Sequence, residues 1–130
     1  YIVSTSLLNY TMSASFCEHF NGHLVWIENE SEQSWLASVL STHFPDTLYW
    51  YIGLYDTVGA NHAVHYQWIG GHKKLFTNFA AREPGNENES CITMERPIGY
   101  KWADVKCERK EAFVCKMFAK RGTRVNQNLR

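Results

Sequence analysis

Large apolar residues come in short blocks whose period changes along the chain. From Thr11 to Phe20, Met12, Ser13 and Phe16 precede Cys17 and Phe20 at helical spacing, and the stretch stops at Asn21-Gly22, a pair that ends helices. His23-Leu24-Val25-Trp26-Ile27 then predicts a strand. A second helix is expected from Ser31 to Leu40, because Asn29 stands three residues before Glu32 in capping-box spacing and Trp35, Leu36, Val39 and Leu40 share one face. Tyr49 to Tyr55 and His65 to Ile69 are β-prone, the latter ending in Gly70-Gly71. Between Asn78 and Ser90 large apolar side chains nearly vanish, which predicts a long surface loop. Short strands resume at Cys91 to Met94, around Trp102 and at Ala112 to Met117. The order predicts an α+β domain, with both helices on or beside an antiparallel sheet. Residues 119–130 have no periodicity and read as a linker or frayed end.

Composition narrows the class. The chain of 130 residues is 45% hydrophobic and 15% aromatic, enough for one real core. Its formal net charge of +0 hides an asymmetry: all 13 acidic residues lie at or before Glu111, whereas Lys116, Lys120, Arg121, Arg124 and Arg130 make the end basic. An acidic body argues against nucleic acid as a partner, since phosphate recognition needs a basic face. The longest apolar stretch, Leu48 to Tyr55, is broken by Gly53 and falls short of the roughly 20 residues of a membrane span. The sequence begins at Tyr1, so a secretory signal removed earlier is compatible with it.

Cys17, Cys91, Cys107 and Cys115 are even in number and contain no CxxC pair. Disulfides in an oxidising compartment explain them better than four buried free thiols do, although arithmetic leaves three connectivities open. Three sequons, Asn9-Tyr10-Thr11, Asn29-Glu30-Ser31 and Asn88-Glu89-Ser90, favour the same compartment and mark Asn9, Asn29 and Asn88 as glycosylation candidates.

Taken in order, several motifs resemble the C-type lectin-like domain family over nearly all of residues 1–117. They are the helix carrying Cys17, the His23–Ile27 strand, Glu32-Gln33 before Trp35-Leu36, Tyr51-Ile52-Gly53-Leu54, Trp68-Ile69-Gly70-Gly71, Glu83-Pro84, and Trp102-Ala103-Asp104 shortly before Cys107. The resemblance implies a loop-in-a-loop domain over 1–117 with a basic tail over 118–130, Cys17 paired with Cys115, and Cys91 paired with Cys107. It also implies a secreted or ectodomain recognition module whose partner is a glycan or glycoprotein, or alternatively a protein or other surface bound without calcium.

In sugar-binding members, a calcium ion is held by an EPN motif, a Glu before a cysteine and a WND motif. By that resemblance Glu83, Glu89 and Asp104 occupy the three carboxylate positions and are the candidate metal ligands, whereas Gly85 and Ala103 stand where two amides would be. An amide both gives oxygen to the ion and donates N–H to a sugar hydroxyl, and a carboxylate does only the former. Calcium is therefore expected to be weak or absent. If Gly85 is an insertion, Asn86 could take the missing place. The resemblance makes Glu83-Pro84 a cis peptide. A glycan on Asn88 would stand over this face.

Five tryptophans, Trp26, Trp35, Trp50, Trp68 and Trp102, fall largely in predicted elements and read as core; Tyr100 and Trp102 lie near enough to the loop to be considered for ligand contact. His19 with His23, and His62 with His65, have spacings that invite a zinc reading, but Asn21-Gly22 separates the first pair and the second lies before a strand. No GxSxG, HExxH or phosphate-loop motif is present, and Glu87 with Glu89 lacks an apolar pocket to raise one pKa, so no enzyme is expected. The basic tail reads as a linker remnant rather than a site for anionic glycans.

Overall fold

The computed structural model describes residues 1–57, 65–85 and 88–118. Its elements are β1 (Ile2–Leu8), α1 (Tyr10–His19), β2 (Gly22–Leu24), α2 (Glu30–His43), β3 (Tyr49–Asp56), β4 (Tyr66–Trp68), β5 (Cys91–Glu95), β6 (Lys101–Val105) and β7 (Glu111–Met117), with 3-10 turns at Ile69–Gly71 and Arg96–Ile98. The strands form one sheet in the order β1-β7-β3-β5-β6, with β2 added to β7 and β4 to β3.

Both faces of this sheet are covered, which is why its central strands read as nearly continuous apolar runs. Trp50, Ile52 and Leu54 of β3 join Leu36 and Leu40 of α2 in one cluster. Tyr51 of β3 joins Tyr10 and Cys17 of α1, with Phe113 and Cys115 of β7, in the other. Alternation of side chains along a strand sends neighbouring residues to opposite clusters, so each helix has its own hydrophobic floor.

Each helix begins where its cap is. Asn9 Oδ1 accepts the Met12 N–H and Asn29 Oδ1 accepts the Glu32 N–H, both at 2.9 Å. The Glu32 carboxylate reaches past the cap residue to accept the Glu28 N–H at 2.9 Å, a variant of the expected capping box. α2 runs three residues beyond the expected end because Ser41, Thr42 and His43 continue it on the solvent side.

Several expectations are corrected. β1 was not visible in the sequence, since Ile2–Leu8 depends on pairing with β7. The strand expected over His23–Ile27 ends at Leu24, although Val25 N still donates to Val114 O at 3.0 Å. The sheet is mixed, because β3 and β7 run parallel while the other pairs are antiparallel. A long intervening chain separates those two strands, so no hairpin imposes opposite directions. Trp35 leaves the core face of α2: it is 49% exposed, and Gln33 turns inward instead. Trp50, Trp68 and Trp102 are fully interior, whereas Trp26 is partly exposed between the His23 and His72 rings, at 3.6 and 4.0 Å.

The disulfides are Cys17–Cys115 and Cys91–Cys107, with sequence separations of 98 and 16. Chain-entropy reasoning values loops of that size at roughly 4.7 and 3 kcal/mol. Gly53 is required by packing, since its N–H donates to Val25 O at 2.9 Å and a Cβ there would lie 2.5 Å from Leu24 O.

Candidate carboxylate face

The loop that leads to Glu83 is stitched to β6. Trp102 N donates to Asn78 O at 3.0 Å, Ala80 N to Trp102 O at 2.9 Å, and Glu83 N to Ala80 O at 3.0 Å. These bonds carry Glu83 alongside the strand, where its Oε1 accepts the Asp104 N–H at 3.4 Å. The Glu83–Pro84 peptide is cis. The far end of the loop is held separately: Tyr66 Oη donates to Glu89 O at 3.1 Å, and Asp56 N donates to Ser90 O at 2.8 Å.

Glu83, Glu89 and Asp104 are thus brought to one region by two anchors. Burial, followed by the hydrogen bond that the protonated Glu83 carboxyl donates to the Asp104 carboxylate and by the Asp104 charge, pushes Glu83 up to about 7. Burial and then the Asp104 charge also raise Glu89. The Tyr66 phenol is pushed up by burial and then by Asp104, Asp56, Glu83 and Glu89. Tyr66 and Asp56 were absent from the sequence reading, because a strand tyrosine and a strand-end aspartate carry no motif.

Among the described residues, no three Asp, Glu, His or Cys converge in a way that could hold a metal ion. The position after Pro84 is closed to a larger residue in this loop conformation, as a Cβ on Gly85 would lie 2.8 Å from Arg82 O. Ala103 is 6% exposed and brings no polar atom. Asn86, the candidate replacement, lies outside the described residues, as do Glu87, His62 and the tail residues Lys120, Arg121, Arg124 and Arg130.

Two further expectations change here. Trp102 is fully buried and its Nε1–H donates to Gln33 Oε1 at 2.9 Å, so it has no surface for a ligand. Tyr100 is 7% exposed and packs in the same core cluster, and its backbone oxygen accepts from Gln33 Nε2 of α2 at 2.8 Å. Both are core residues because the alternation of β6 and the tight turn before it aim them inward. His19 ends α1, and His23 lies on β2 against Trp26, so that pair does not share a helix face.

Comparisons with known proteins match both the sequence and the fold. Residues 6–117 match the Lectin C-type domain. The chain belongs to the C-type lectin domain family. This C-type lectin domain is 31% identical over 123 residues to C-type lectin domain family 4 member A of Mus musculus, covering 90% of this chain and 48% of the relative. The chain thus spans about half the length of that relative. Perlucin of Haliotis laevigata is 26% identical over 118 residues, covering 88% of this chain and 74% of its own. Human lithostathine superposes with a TM-score of 0.82 at 25% identity, covering 90% of this chain and 81% of that structure.

Proposed function

We propose that this domain is an extracellular, non-enzymatic recognition module that binds carbohydrate on the face formed by the long loop and β6, with calcium held weakly or not at all. The observation that carries the reading is the apposition of Glu83 and Asp104 beside an exposed loop. Sugars present several hydroxyl donors on one rigid ring, and carboxylate oxygens held by backbone are suited to accept them. Glu89 completes the acceptor set, and Asn86 is the nearest amide in sequence that could add a donor. Two disulfides favour an oxidising compartment. No helix among the described residues is long and apolar enough to cross a membrane.

A glycan array run with calcium and again with chelator tests the reading. Signals that fall in an Asp104→Ala variant support it, and persistence under chelator assigns the calcium-free mode. Silence in both conditions would defeat it. That outcome would favour the second reading, a calcium-independent protein ligand, which Ala103 supports because an apolar residue cannot donate to a sugar hydroxyl.

A further inference from the structure

At the N-terminal end of α2 lies an open groove of about 540 Å³ that the carboxylate face does not use. Its walls combine two nearly half-exposed aromatic rings with charge. Tyr1 and Trp35 are 48% and 49% exposed with ring centroids 4.9 Å apart. Lys116 Nζ donates to Glu28 Oε2 at 3.2 Å and to Glu32 Oε2 at 2.8 Å, and the Tyr1 hydroxyl donates to Glu32. Aromatic faces suit the C–H face of a pyranose, and the ionic floor offers both acceptors and a donor to hydroxyl and acetamido groups. An ionic floor is a poor seat for an apolar peptide.

Asn29 and Ser31, the acceptor asparagine and the hydroxyl residue of one sequon, both line this groove. We propose that Asn29 carries an N-linked glycan whose core sugars lie in the groove against the Trp35 ring. The amide is positioned for it: Oδ1 is engaged by the Glu32 N–H at 2.9 Å, and attachment uses the other amide atom, so the helix cap survives. Trp35 stands one helical turn beyond Ser31 on the same face, roughly 9 Å of helix rise from Asn29. An attached sugar meets the ring at a high effective concentration, which a free saccharide does not. In the attachment, Asn29 Nδ2 displaces a lipid diphosphate from C1 of an N-acetylglucosamine. The new C1–N bond replaces the C1–O bond, one amide proton goes to base, and nothing is oxidised or reduced. Asn9 and Asn88, of the other two sequons, do not line this groove.

The inference rests on the extracellular reading, because the lipid-linked donor belongs to the secretory route. The full chain is therefore expressed through a secretory host, and each sequon is scored by peptide mass spectrometry. Occupancy at Asn29 is expected, with Tm about 2 to 4 °C above that of the Ser31→Ala and Asn29→Asp variants, which lose the sequon but keep a capping side chain. In the glycosylated protein, acrylamide quenching is expected to fall and the fall to vanish in Trp35→Ala, since Trp50, Trp68 and Trp102 are buried in either form and the partly exposed Trp26 does not line the groove. Trp35→Ala should erase the Tm difference while leaving Asn29 occupied. An unoccupied Asn29 in secreted protein overturns the inference and leaves the extracellular reading standing, whereas well-folded chain that never reaches the medium overturns both. Occupancy with a Tm increment unchanged by Trp35→Ala also overturns it.

Discussion

Gln33 of α2 holds Trp102 of β6 from across the core, its Oε1 accepting the indole N–H at 2.9 Å while its Nε2 donates to Tyr100 O at 2.8 Å. The amide is 6% exposed and the indole fully buried, so water cannot replace either bond. Gln33→Ala is expected to cost about 2 to 3 kcal/mol, through an unpaired buried donor and a lost packing volume, measured by urea unfolding. Gln33→Lys should be at least as damaging, because it brings a charge and no acceptor. A loss below about 0.5 kcal/mol in both variants would mean that the pair is dispensable.

The two disulfides should separate on removal. Replacing Cys17 and Cys115 by Ala opens a loop of 98 residues between α1 and β7 and is expected to lower global stability most, by up to about 4.7 kcal/mol. Replacing Cys91 and Cys107 opens 16 residues, at up to about 3 kcal/mol, and should raise hydrogen exchange first at Asp56, whose N–H donates to Ser90 O beside the bridge. Equal losses with no local exchange change would contradict this division.

Gly53→Ala tests the close approach of β3 to residues 24 and 25. The added methyl would sit 2.5 Å from the Leu24 carbonyl oxygen, which is backbone and cannot swing aside. A loss of about 3 kcal/mol or failure to fold is expected, whereas Gly99→Ala, with nothing within 4 Å of the new carbon, should cost only the strain of a positive φ. Calorimetry of the two variants side by side makes the comparison.

Glu83 should titrate near pH 7. Its carboxyl is raised in the folded state from an ordinary 4.5 to about 7, so the fold binds this proton more tightly than the unfolded chain does. The stabilising contribution is therefore fully present below pH 4.5 and is lost as pH rises through about 7. A carboxyl-detected NMR titration gives the midpoint directly, and Asp104→Asn should bring it part of the way down, since burial remains the largest cause. A midpoint at 4.5 in the parent protein would show that the Glu83 carboxyl is neither buried nor paired with Asp104.

Much of this protein was legible before its structure. The spacing of apolar residues located both helices and the central strands, and Asn29 marked a helix start because a capping side chain acts on residues only three positions away. The ordered motifs resembling C-type lectins also carried the disulfide pairing. The departures at Gly85 and Ala103 were readable for the same reason, since a missing amide is a property of one position.

Long-range pairing decided the rest. β1 exists because β7 offers it an edge, and β3 runs parallel to β7 because no short turn links them. Trp35, expected in the core, went to the surface and Gln33 went inside: Trp102 and Tyr100, far away in sequence, presented a donor and an acceptor that its amide satisfies. Trp102 left the ligand face by the same contact. Local pattern thus determined which segments are helices and strands and which chemistry the chain possesses. Only the tertiary structure decided which side chains that chemistry leaves at the surface, because burial and hydrogen-bond satisfaction depend on partners that sequence spacing does not encode.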